Sequence, residues 1–179
     1  MVTLHTERLT WRMLRQTDID DYARMCADPE IMRYLGDGKP MSRLEAWRHL
    51  AMMVGHWQLR GFGMWAVVEN ATGRFVGRVG CYYPETWPSP EVGWTLRRDY
   101  WGQGYATEAA RASLRHAFTT LGWSHAISLI RVANLNSIRV AERLGEKLEG
   151  QTEVMGYEVL VYGIDRAAFL ADRPSTPTI

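Results

Sequence analysis

The residues whose types and spacing most clearly point to chemistry lie in the segment 101–107, Trp-Gly-Gln-Gly-Tyr-Ala-Thr. Gly102 and Gly104 let the backbone take turn conformations and approach a ligand closely. The residues that follow Gly104 are expected to open a helix, whose first amide groups have no partner within it. Because these free donors coincide with the positive end of the helix dipole, the segment predicts a site for an anion such as a phosphate.

Two familiar phosphate loops do not fit this segment. A dinucleotide fingerprint would place a glycine where Thr107 stands and an acidic ribose ligand after the next strand. A nucleotide-triphosphate loop would need Gly-Lys-Ser/Thr, which the sequence lacks. The segment therefore indicates a phosphate-bearing ligand bound without Mg²⁺, and coenzyme A meets that description. Taken alone, the motif is also compatible with a plain strand-to-helix turn that binds nothing.

Local patterns predict the strands and helices around this motif. A strand is predicted at Glu91–Leu96 before the motif and another at His125–Arg131 after it, with a helix from about Tyr105 to Gly122 between them. A second helix is predicted from Asn134 to Leu144, where Asn134 and Ser137 would be local caps and Gly145 the end.

The remaining elements complete an alternating pattern of strands and helices. Thr17 is expected to cap a short helix, and Ser42 with Glu45 forms a capping box that begins a longer one ending at Gly61. Along that longer helix, Trp47, Leu50, Val54 and Trp57 are expected to form one buried stripe. Strands are predicted at 8–14, 64–69, 75–83, 147–154 and 158–164, with a hairpin turn at 70–73.

The element order β-αα-βββ-α-β-α-ββ predicts a mixed α/β fold. Its sheet would have about seven mostly antiparallel strands, with helices on both faces. The length of 179 residues suits a single domain, expected over residues 1–173, followed by a disordered tail at 174–179. The chain is expected to be a monomer or a homodimer.

Composition excludes several classes of partner and suggests a compartment. The formal net charge is +1 and no block of like charges occurs, so neither nucleic acid nor an anionic membrane is expected as a partner. The five histidines show no metal-ligand spacing, and no metal is expected. Cys26 and Cys81 are expected to be reduced and buried, and no signal peptide or membrane span is apparent. A cytoplasmic location is therefore expected.

The sequence resembles the GNAT acetyltransferases, in particular the branch of ribosomal-protein N-terminal (Rim-type) acetyltransferases. Four stretches that span almost the whole chain carry the resemblance: Thr-Glu-Arg-Leu at 6–9, Glu-Val-Gly-Trp at 91–94, Trp-Gly-Gln-Gly-Tyr-Ala-Thr-Glu-Ala at 101–109, and Asn-Leu-Asn-Ser at 134–137 followed by Arg-Leu-Gly at 143–145. In this family an Arg/Gln-x-x-Gly-x-Gly/Ala pattern binds the diphosphate of coenzyme A through backbone amides. Gly104 and Ala106 match its last two positions, whereas Trp101 replaces the usual Arg or Gln.

The resemblance implies an enzyme that transfers an acetyl group from acetyl-CoA, its co-substrate, to a primary amine by direct attack in a ternary complex. It implies that the strand at 91–96 separates from the strand at 125–131, and that free backbone groups in the gap hold the pantetheine arm. The residues implied to bind acetyl-CoA are Trp94, Thr95, Leu96, Trp101, Gly102, Gln103, Gly104, Tyr105, Ala106, Thr107, Asn134 and Ser137.

Two side chains are implied to act in the transfer itself. Glu91 stands where family members place a carboxylate that deprotonates the amine through water, although an exposed carboxylate at a strand end is an equal alternative. Ser137 would lie near the thioester sulfur and would protonate or stabilise the departing thiolate, the role of a tyrosine in other branches. Glu146 departs from the family, which has an aromatic residue there, and altered packing is expected at that helix end.

The acceptor amine is left open between a protein N-terminus and a small molecule. An open groove rimmed by aromatic residues would favour a peptide, and Trp87 is a better candidate for such a groove than Trp47 or Trp57, which helical spacing places in the core. An acidic groove around Glu85 and Glu91 would favour a cationic small molecule. A catalytically silent module that binds acyl-CoA and acts as a sensor is the alternative from a different class.

Overall fold

The computed structural model describes residues 3–171 and builds them around one eight-stranded sheet. The strands are β1 (Leu4–His5), β2 (Leu9–Arg12), β3 (Met64–Glu69), β4 (Phe75–Tyr82), β5 (Glu91–Leu96), β6 (His125–Arg131), β7 (Lys147–Val154) and β8 (Tyr157–Asp165). The α-helices are α1 (Ile19–Cys26), α2 (Pro29–Met32), α3 (Arg43–Arg60), α4 (Tyr105–Thr119), α5 (Leu135–Leu144) and α6 (Arg166–Ala171).

The strand order is β1-β2-β3-β4-β5-β6-β8-β7, and all neighbours are antiparallel except β5 and β6. The helix α4 connects this parallel pair, as a crossover between parallel strands requires. The mixed, mostly antiparallel sheet predicted from the sequence is therefore confirmed. The sequence patterns did not reveal the short strand β1, the one-turn helix α2 or the final helix α6.

Two hydrophobic cores cover opposite faces of the sheet. On one face, Leu114 and Phe118 of α4 pack with Val79 and Leu96 of the central strands. On the other face, α1 and α3 bury a separate cluster that includes Tyr22 and Phe75. Because successive side chains of a strand point to opposite faces, residues 91, 93 and 95 of β5 lie on the α1/α3 face and residues 92, 94 and 96 on the α4 face.

Helix ends follow the local signals in most cases. Ser42 accepts from the amide of Glu45 while the Glu45 carboxylate accepts from the amide of Ser42, so the predicted capping box is present. Gly61 and Gly145 end α3 and α5 in the left-handed conformation, with φ of 75° and 88°. Only glycine takes that conformation without a steric cost.

Two sequence-based expectations about helices are wrong. Thr17 does not cap α1, because it lies inside a 3-10 turn at Gln16–Asp18 whose entry is stabilised by Asp18 accepting from the amide of Arg15. The apolar stripe on α3 is also misplaced, since Trp47 is 44% exposed and Val54 37% exposed. The buried face is formed by Ala46, Leu50, Met53 and His56.

The limits of the domain stay a prediction. One sheet runs through residues 3–171, whereas the expected tail at 174–179 and the last residues of the expected domain lie outside the described part. Within 3–171, none of the helices has the length and apolar character needed to span a bilayer.

Candidate active site

A gap between β5 and β6 lies at the centre of the site. The parallel pair registers only at Glu91 and Ile127, where the Ile127 amide donates to the Pro90 carbonyl over 3.0 Å. In a regular parallel ladder the next bond would run from the Leu129 amide to the Val92 carbonyl. Side chains replace both halves of that bond, because the Leu129 amide donates to the Glu91 carboxylate over 3.4 Å and the Ser128 hydroxyl donates to the Val92 carbonyl over 2.9 Å. The two strands separate from this point.

The main chain of β5 beyond this point presents polar groups to the gap at every second residue. Thr95 pairs with Arg78 and Arg97 donates to Val76 across the β4 side, so the backbone groups of residues 94 and 96 point toward β6. The carbonyl of Leu96 is taken by the Trp101 indole N–H over 2.9 Å. The amide of Trp94 is left facing the gap. Thr95, expected among the gap residues, directs its main chain to β4 instead.

Glu91 is a buried carboxyl at the closed end of the gap, 8% exposed, on the α1/α3 face. The Trp87 indole N–H donates to Glu91 Oε2 over 2.6 Å, and the Leu129 amide approaches the other oxygen. Burial raises the pKa of Glu91 to about 7, against the opposing effects of those two hydrogen bonds and of the Arg78 charge. The structure therefore contradicts the alternative of an exposed strand-end carboxylate and places a buried carboxyl with a raised pKa at the closed end of the gap.

Arg78 adds a positive charge to the same face as Glu91. It stands on β4 opposite Thr95, and its Nε is buried with no hydrogen-bond partner among the described residues. Nearby, the Tyr22 hydroxyl lies 2.8 Å from Nδ1 of His49, whose pKa falls to about 3 because of burial and then of the Arg78 charge. His49 is therefore neutral near pH 7 and adds no positive charge to this face.

A second buried carboxyl, Glu146, faces the gap from the other side of the sheet. It is 4% exposed, and its Oε1 lies 3.1 Å from the Ser128 hydroxyl, which has a single proton and is also 2.9 Å from the Val92 carbonyl. Because a carbonyl can only accept, both contacts are satisfied when Ser128 donates to Val92 and a protonated Glu146 donates to Ser128. Burial, with the charges of Glu91 and Glu149, raises the pKa of Glu146 to about 8. Glu146 is thus mostly a neutral acid at pH 7.

The loop 101–107 has the geometry of an anion site. Gly102 and Gly104 have φ of 73° and 80°, the left-handed region that glycine favours, and α4 begins directly after Gly104 with no side-chain cap. The first helical amide with a main-chain partner is that of Glu108, which donates to the Gly104 carbonyl over 3.0 Å. The preceding amides of α4 are left to a ligand or water.

Some side chains and one amide of the loop are engaged by the protein. The amide of Trp101 donates to Arg98, so the unpartnered series begins at Gly102 and not at Trp101 as expected. The Gln103 side chain donates to the Asp99 carbonyl over 2.7 Å, and the Tyr105 hydroxyl donates to Glu69 over 2.6 Å. The side chains of Gln103 and Tyr105 are therefore occupied, and these two residues can offer a ligand only their main-chain groups.

The Thr-Glu-Arg-Leu stretch at the start of the chain holds this loop in place. Arg8 forms an ion pair of 2.6 Å with Glu108, donates to the Gln103 carbonyl over 2.9 Å and lies 4.3 Å above the Tyr105 ring. The Thr6 hydroxyl donates to the same Glu108 carboxylate over 2.5 Å. Arg8 and Thr6 thus position a helix that begins almost a hundred residues later in the chain.

Asn134 and Ser137 open α5 next to the end of β6. Asn134 caps the helix, because its side-chain oxygen accepts from the Ser137 amide over 3.2 Å. Ser137 is half-buried, and its hydroxyl makes no hydrogen bond within residues 3–171. The cap predicted from the residues alone is confirmed, and the hydroxyl of Ser137 stays available to a ligand.

The histidines and Trp87 are accounted for within the fold. His56 is fixed by the Phe62 carbonyl and the Tyr83 amide, and His125 contacts Glu149 and Asp165. Among residues 3–171, no three His, Cys, Asp or Glu side chains are grouped as metal ligands. Trp87 is half-buried, its indole donates to Glu91 and its ring packs edge-on against Tyr82.

The arrangement fits acetyl-CoA. The unpartnered amides of 102–107 suit a diphosphate, and a Cβ at Gly104 would lie 3.5 Å from the Arg8 guanidinium, so the site is bordered by a cation. The gap amide of Trp94 suits an amide or acyl oxygen of the pantetheine arm. The fold and these features together define an enzyme that uses an acyl-CoA thioester.

Comparisons with known proteins give the same class. The family described as "Acetyltransferase (GNAT) domain" matches residues 8–147, and the chain belongs to the GNAT acetyltransferase family. It is an N-acetyltransferase that uses acetyl-CoA.

Three similar proteins illustrate the range of the family. The crystal structure of an acetyltransferase from Agrobacterium tumefaciens is 32% identical, with a TM-score of 0.81 over 92% of this chain and 94% of that one. An FsC-acetyl coenzyme A-N(2)-transacetylase of Aspergillus fumigatus is 33% identical over 80% of this chain and 64% of its own length. RimL, a ribosomal L7/L12 alpha-N-protein acetyltransferase solved with coenzyme A, is 18% identical, with a TM-score of 0.77 over 92% and 98% of the two chains, and shares the fold.

Sequence reasoning missed the residues that shape the gap. Ser128 carries no motif, and Glu146 was noticed only as a departure from the family. The contact between them joins positions 18 residues apart, and the contact of Ser128 with Val92 joins positions 36 apart. The only signal for Glu146 was that a charged residue stands directly after the helix-ending Gly145, where the family has an aromatic residue.

Proposed function

We propose that this chain transfers the acetyl group of acetyl-CoA to a primary amine by direct attack in a ternary complex, with Glu91 as the base. The observation that carries the proposal is the position of Glu91, a buried carboxyl where β5 and β6 separate, with a pKa raised to about 7 by burial. A base with a pKa near the working pH is the one best suited to remove a proton from an attacking amine.

The chain's own groups would position the two substrates. When bound, acetyl-CoA supplies a thioester, an acyl group activated for transfer. The amides at the start of α4 hold its diphosphate, and the Trp94 amide in the gap points to where the carbonyl oxygen gains charge. The closed end of the gap, marked by Ser128 and Glu91, limits how far the acyl group can enter.

The proton of the ammonium acceptor passes to Glu91, directly or through one water. The neutral nitrogen then forms a bond to the acyl carbon, the bond from carbon to sulfur breaks, and the departing thiolate takes up the second proton that the nitrogen loses as the amide forms. Ser137 carries a hydroxyl without a protein partner at the start of α5. A serine hydroxyl is a weak acid, so we place it as a hydrogen-bond donor to the departing sulfur.

A low-pKa amine is the acceptor that best matches this base. At pH 7 an α-amine with a pKa near 8 is about one-tenth neutral, whereas a lysine near 10.4 is about 0.04% neutral, a difference of about 3 kcal/mol. A carboxylate with a pKa of about 7 more readily deprotonates the former. Both a protein N-terminus, as the name of RimL specifies, and an N(2) amine, as the name of the Aspergillus relative specifies, are compatible with this requirement.

The test is release of free thiol from acetyl-CoA with a panel of amines and N-terminal peptides, followed by a pH profile of Glu91→Gln. With the best acceptor, we expect the wild-type rate to rise with pH and level off above about 7, because Glu91 ionises there. Glu91→Gln should lower turnover by about a hundredfold and lose that limb of the profile, with little change in acetyl-CoA affinity.

Glu85→Gln is the matched control, since Glu85 is an exposed carboxylate in the loop before β5. Wild-type rates in Glu91→Gln at all pH values would remove Glu91 from the mechanism. Binding of acetyl-CoA without turnover of any amine would favour the silent acyl-CoA-binding module.

A further inference from the structure

A groove of about 540 Å³ lies on the molecule between three separate segments. Its walls are residues 33–34 after α2, residues 131–133 at the end of β6, and residues 156–158 at the turn between β7 and β8. The groove is largely open to solvent, and its volume falls within the range of small-molecule sites.

Two arginines dominate the charge of this groove. Arg131 donates from Nη2 to the Gly36 carbonyl over 2.7 Å and lies 3.7 Å above the Tyr157 ring, while Arg33 lies 5.4 Å from the centre of the Tyr34 ring. Within residues 3–171, neither guanidinium has a carboxylate at ion-pair distance. Glu158 is the one acidic residue of the lining, so two positive charges face one negative charge and the groove is net positive.

The groove lies two residues along β6 from the proposed catalytic face. Leu129, whose amide contacts Glu91, and Arg131 are two residues apart on β6 and therefore lie on the same face of the strand. Two residues of a strand span about 7 Å, which separates the Glu91 contact from Arg131 along β6. An acceptor whose amine lies beside Glu91 and whose other end extends along β6 would therefore reach Arg131.

We propose that the acceptor carries an anionic group, a carboxylate or a phosphate ester, which Arg131 and Arg33 bind while the amine lies at Glu91. The inference rests on the proposed function and specifies the acceptor class: amino acids, short peptides with a free C-terminus, or amino-alkyl phosphates. A net positive groove disfavours the cationic polyamines and aminoglycoside-like amines, which would be repelled there.

The arrangement of the Arg131 guanidinium distinguishes it from a solvated surface charge, whereas Arg33 is exposed. Arg131 is held by a carbonyl on one side and a tyrosine ring beneath, which leaves its remaining N–H donors pre-oriented toward the groove. A guanidinium fixed in this way loses little conformational entropy when it binds a planar or tetrahedral anion through two donors.

The test compares acceptors that differ only in the anion. Thiol release is measured with glycylglycine and glycylglycinamide, with 4-aminobutyrate and its amide, and with phosphoethanolamine and ethanolamine, after correction for the pKa of each amine. We expect kcat/KM to be about tenfold or more higher for the anionic member of the pair that turns over, the size expected for hydrogen bonds to a charged group. The carboxylate and phosphate pairs show which anion is preferred.

Arg33→Met and Arg131→Met should each reduce that ratio severalfold through a higher acceptor KM, with acetyl-CoA affinity unchanged. The Arg33 side chain makes no hydrogen bond in the described structure, so its variant tests the idea even if Arg131→Met folds poorly. Arg48→Met, an exposed arginine of α3 outside the groove, is the control. Equal kcat/KM for anionic and neutral members overturns this inference and leaves the proposed function intact, whereas no thiol release with any amine overturns both.

Discussion

The phosphate loop and the β5–β6 gap form one ligand site by two different means. The loop 102–107 offers main-chain amides, which glycines at positive φ and a helix start leave without partners. The gap is opened by side chains, because Glu91 and Ser128 take the two halves of a ladder bond that would otherwise join the strands. The first device depends on the backbone conformation of six consecutive residues, with Arg8 holding them in place, and the second depends on side-chain contacts between distant parts of the chain.

Because of this difference, the two regions should contribute different properties to the enzyme. Amides at a helix start attract any phosphate and do not titrate, so the loop should bind coenzyme A at every pH at which the protein is folded. The gap contains two carboxyls, Glu91 and Glu146, with pKa values raised to about 7 and about 8. Chemistry and pH dependence should therefore originate at the gap, whereas affinity should originate at the loop.

The largest effect is expected from Gly104→Glu. A side chain there requires the left-handed φ of 80° and brings a negative charge to the start of α4, so acetyl-CoA affinity should fall by at least about a hundredfold. Affinity is measured by calorimetric titration. A truncated thioester without the diphosphate, S-acetyl-pantetheine, should be used equally well by variant and wild type, because only the loop is damaged.

Gly73→Glu is the matched control for Gly104→Glu. Gly73 has a φ of 69° in the turn between β3 and β4 and has no neighbour within 4 Å of an added Cβ. It should lose stability for the same backbone reason without losing affinity. Unchanged acetyl-CoA affinity in folded Gly104→Glu would mean that the loop does not bind the diphosphate.

An intermediate effect, on stability, is expected from Glu146→Gln. A carboxyl whose pKa rises from 4.5 unfolded to about 8 folded binds more protons in the native state, so its contribution to stability falls as pH rises from about 4.5 to about 8. Glutamine stays neutral and can donate to Ser128. The variant should therefore exceed wild type in free energy of unfolding at pH 9, by on the order of 2 kcal/mol, and by much less at pH 5.

Urea denaturation at both pH values measures this difference. Glu153→Gln, an exposed carboxylate on β7, should show no such pH-dependent gain. Parallel pH curves for Glu146→Gln and wild type would show that Glu146 is already ionised in the native state.

The smallest effect is expected from Arg8→Met. The Arg8–Glu108 pair is partly exposed, with side-chain exposures of 41% and 20%, so solvent weakens it. Loss of its bonds to Gln103 and Glu108 should raise the Kd for coenzyme A by about threefold to tenfold and leave the KM for S-acetyl-pantetheine unchanged. Arg43→Met, which removes an exposed pair with Asp20, should change neither value. An equal effect on both thioesters would place the role of Arg8 outside the diphosphate site.

Local signals predicted the loop and most of the fold, because they depend on neighbours in sequence. The capping box at Ser42, the glycine ends at Gly61 and Gly145, and the strand–loop–helix at Gly104 are of this kind. The buried face of α3 was not predictable in this way. Trp47 belongs to a second apolar face with Leu44 and Leu59, and spacing alone does not show which face the sheet covers.

The residues of the gap needed tertiary information. Trp87 suggested a groove by its place among prolines, yet its indole holds Glu91, and Ser128 has no sequence signal. Glu146 differs from the aromatic residue that the family has at this position, but its hydrogen-bond partner, Ser128, lies on β6. A pKa set by burial depends on packing of the whole sheet, so it could not be inferred from Glu91 as one letter in a strand.

A crystal structure of the protein with coenzyme A tests the account most directly, because it locates the ligand against both regions at once. We expect diphosphate oxygens within about 2.7–3.2 Å of the amide nitrogens of 102–107, and the sulfur in the gap beside Glu91 and Ser137. Amides bonded only to protein or water, with coenzyme A bound at another surface, would contradict it.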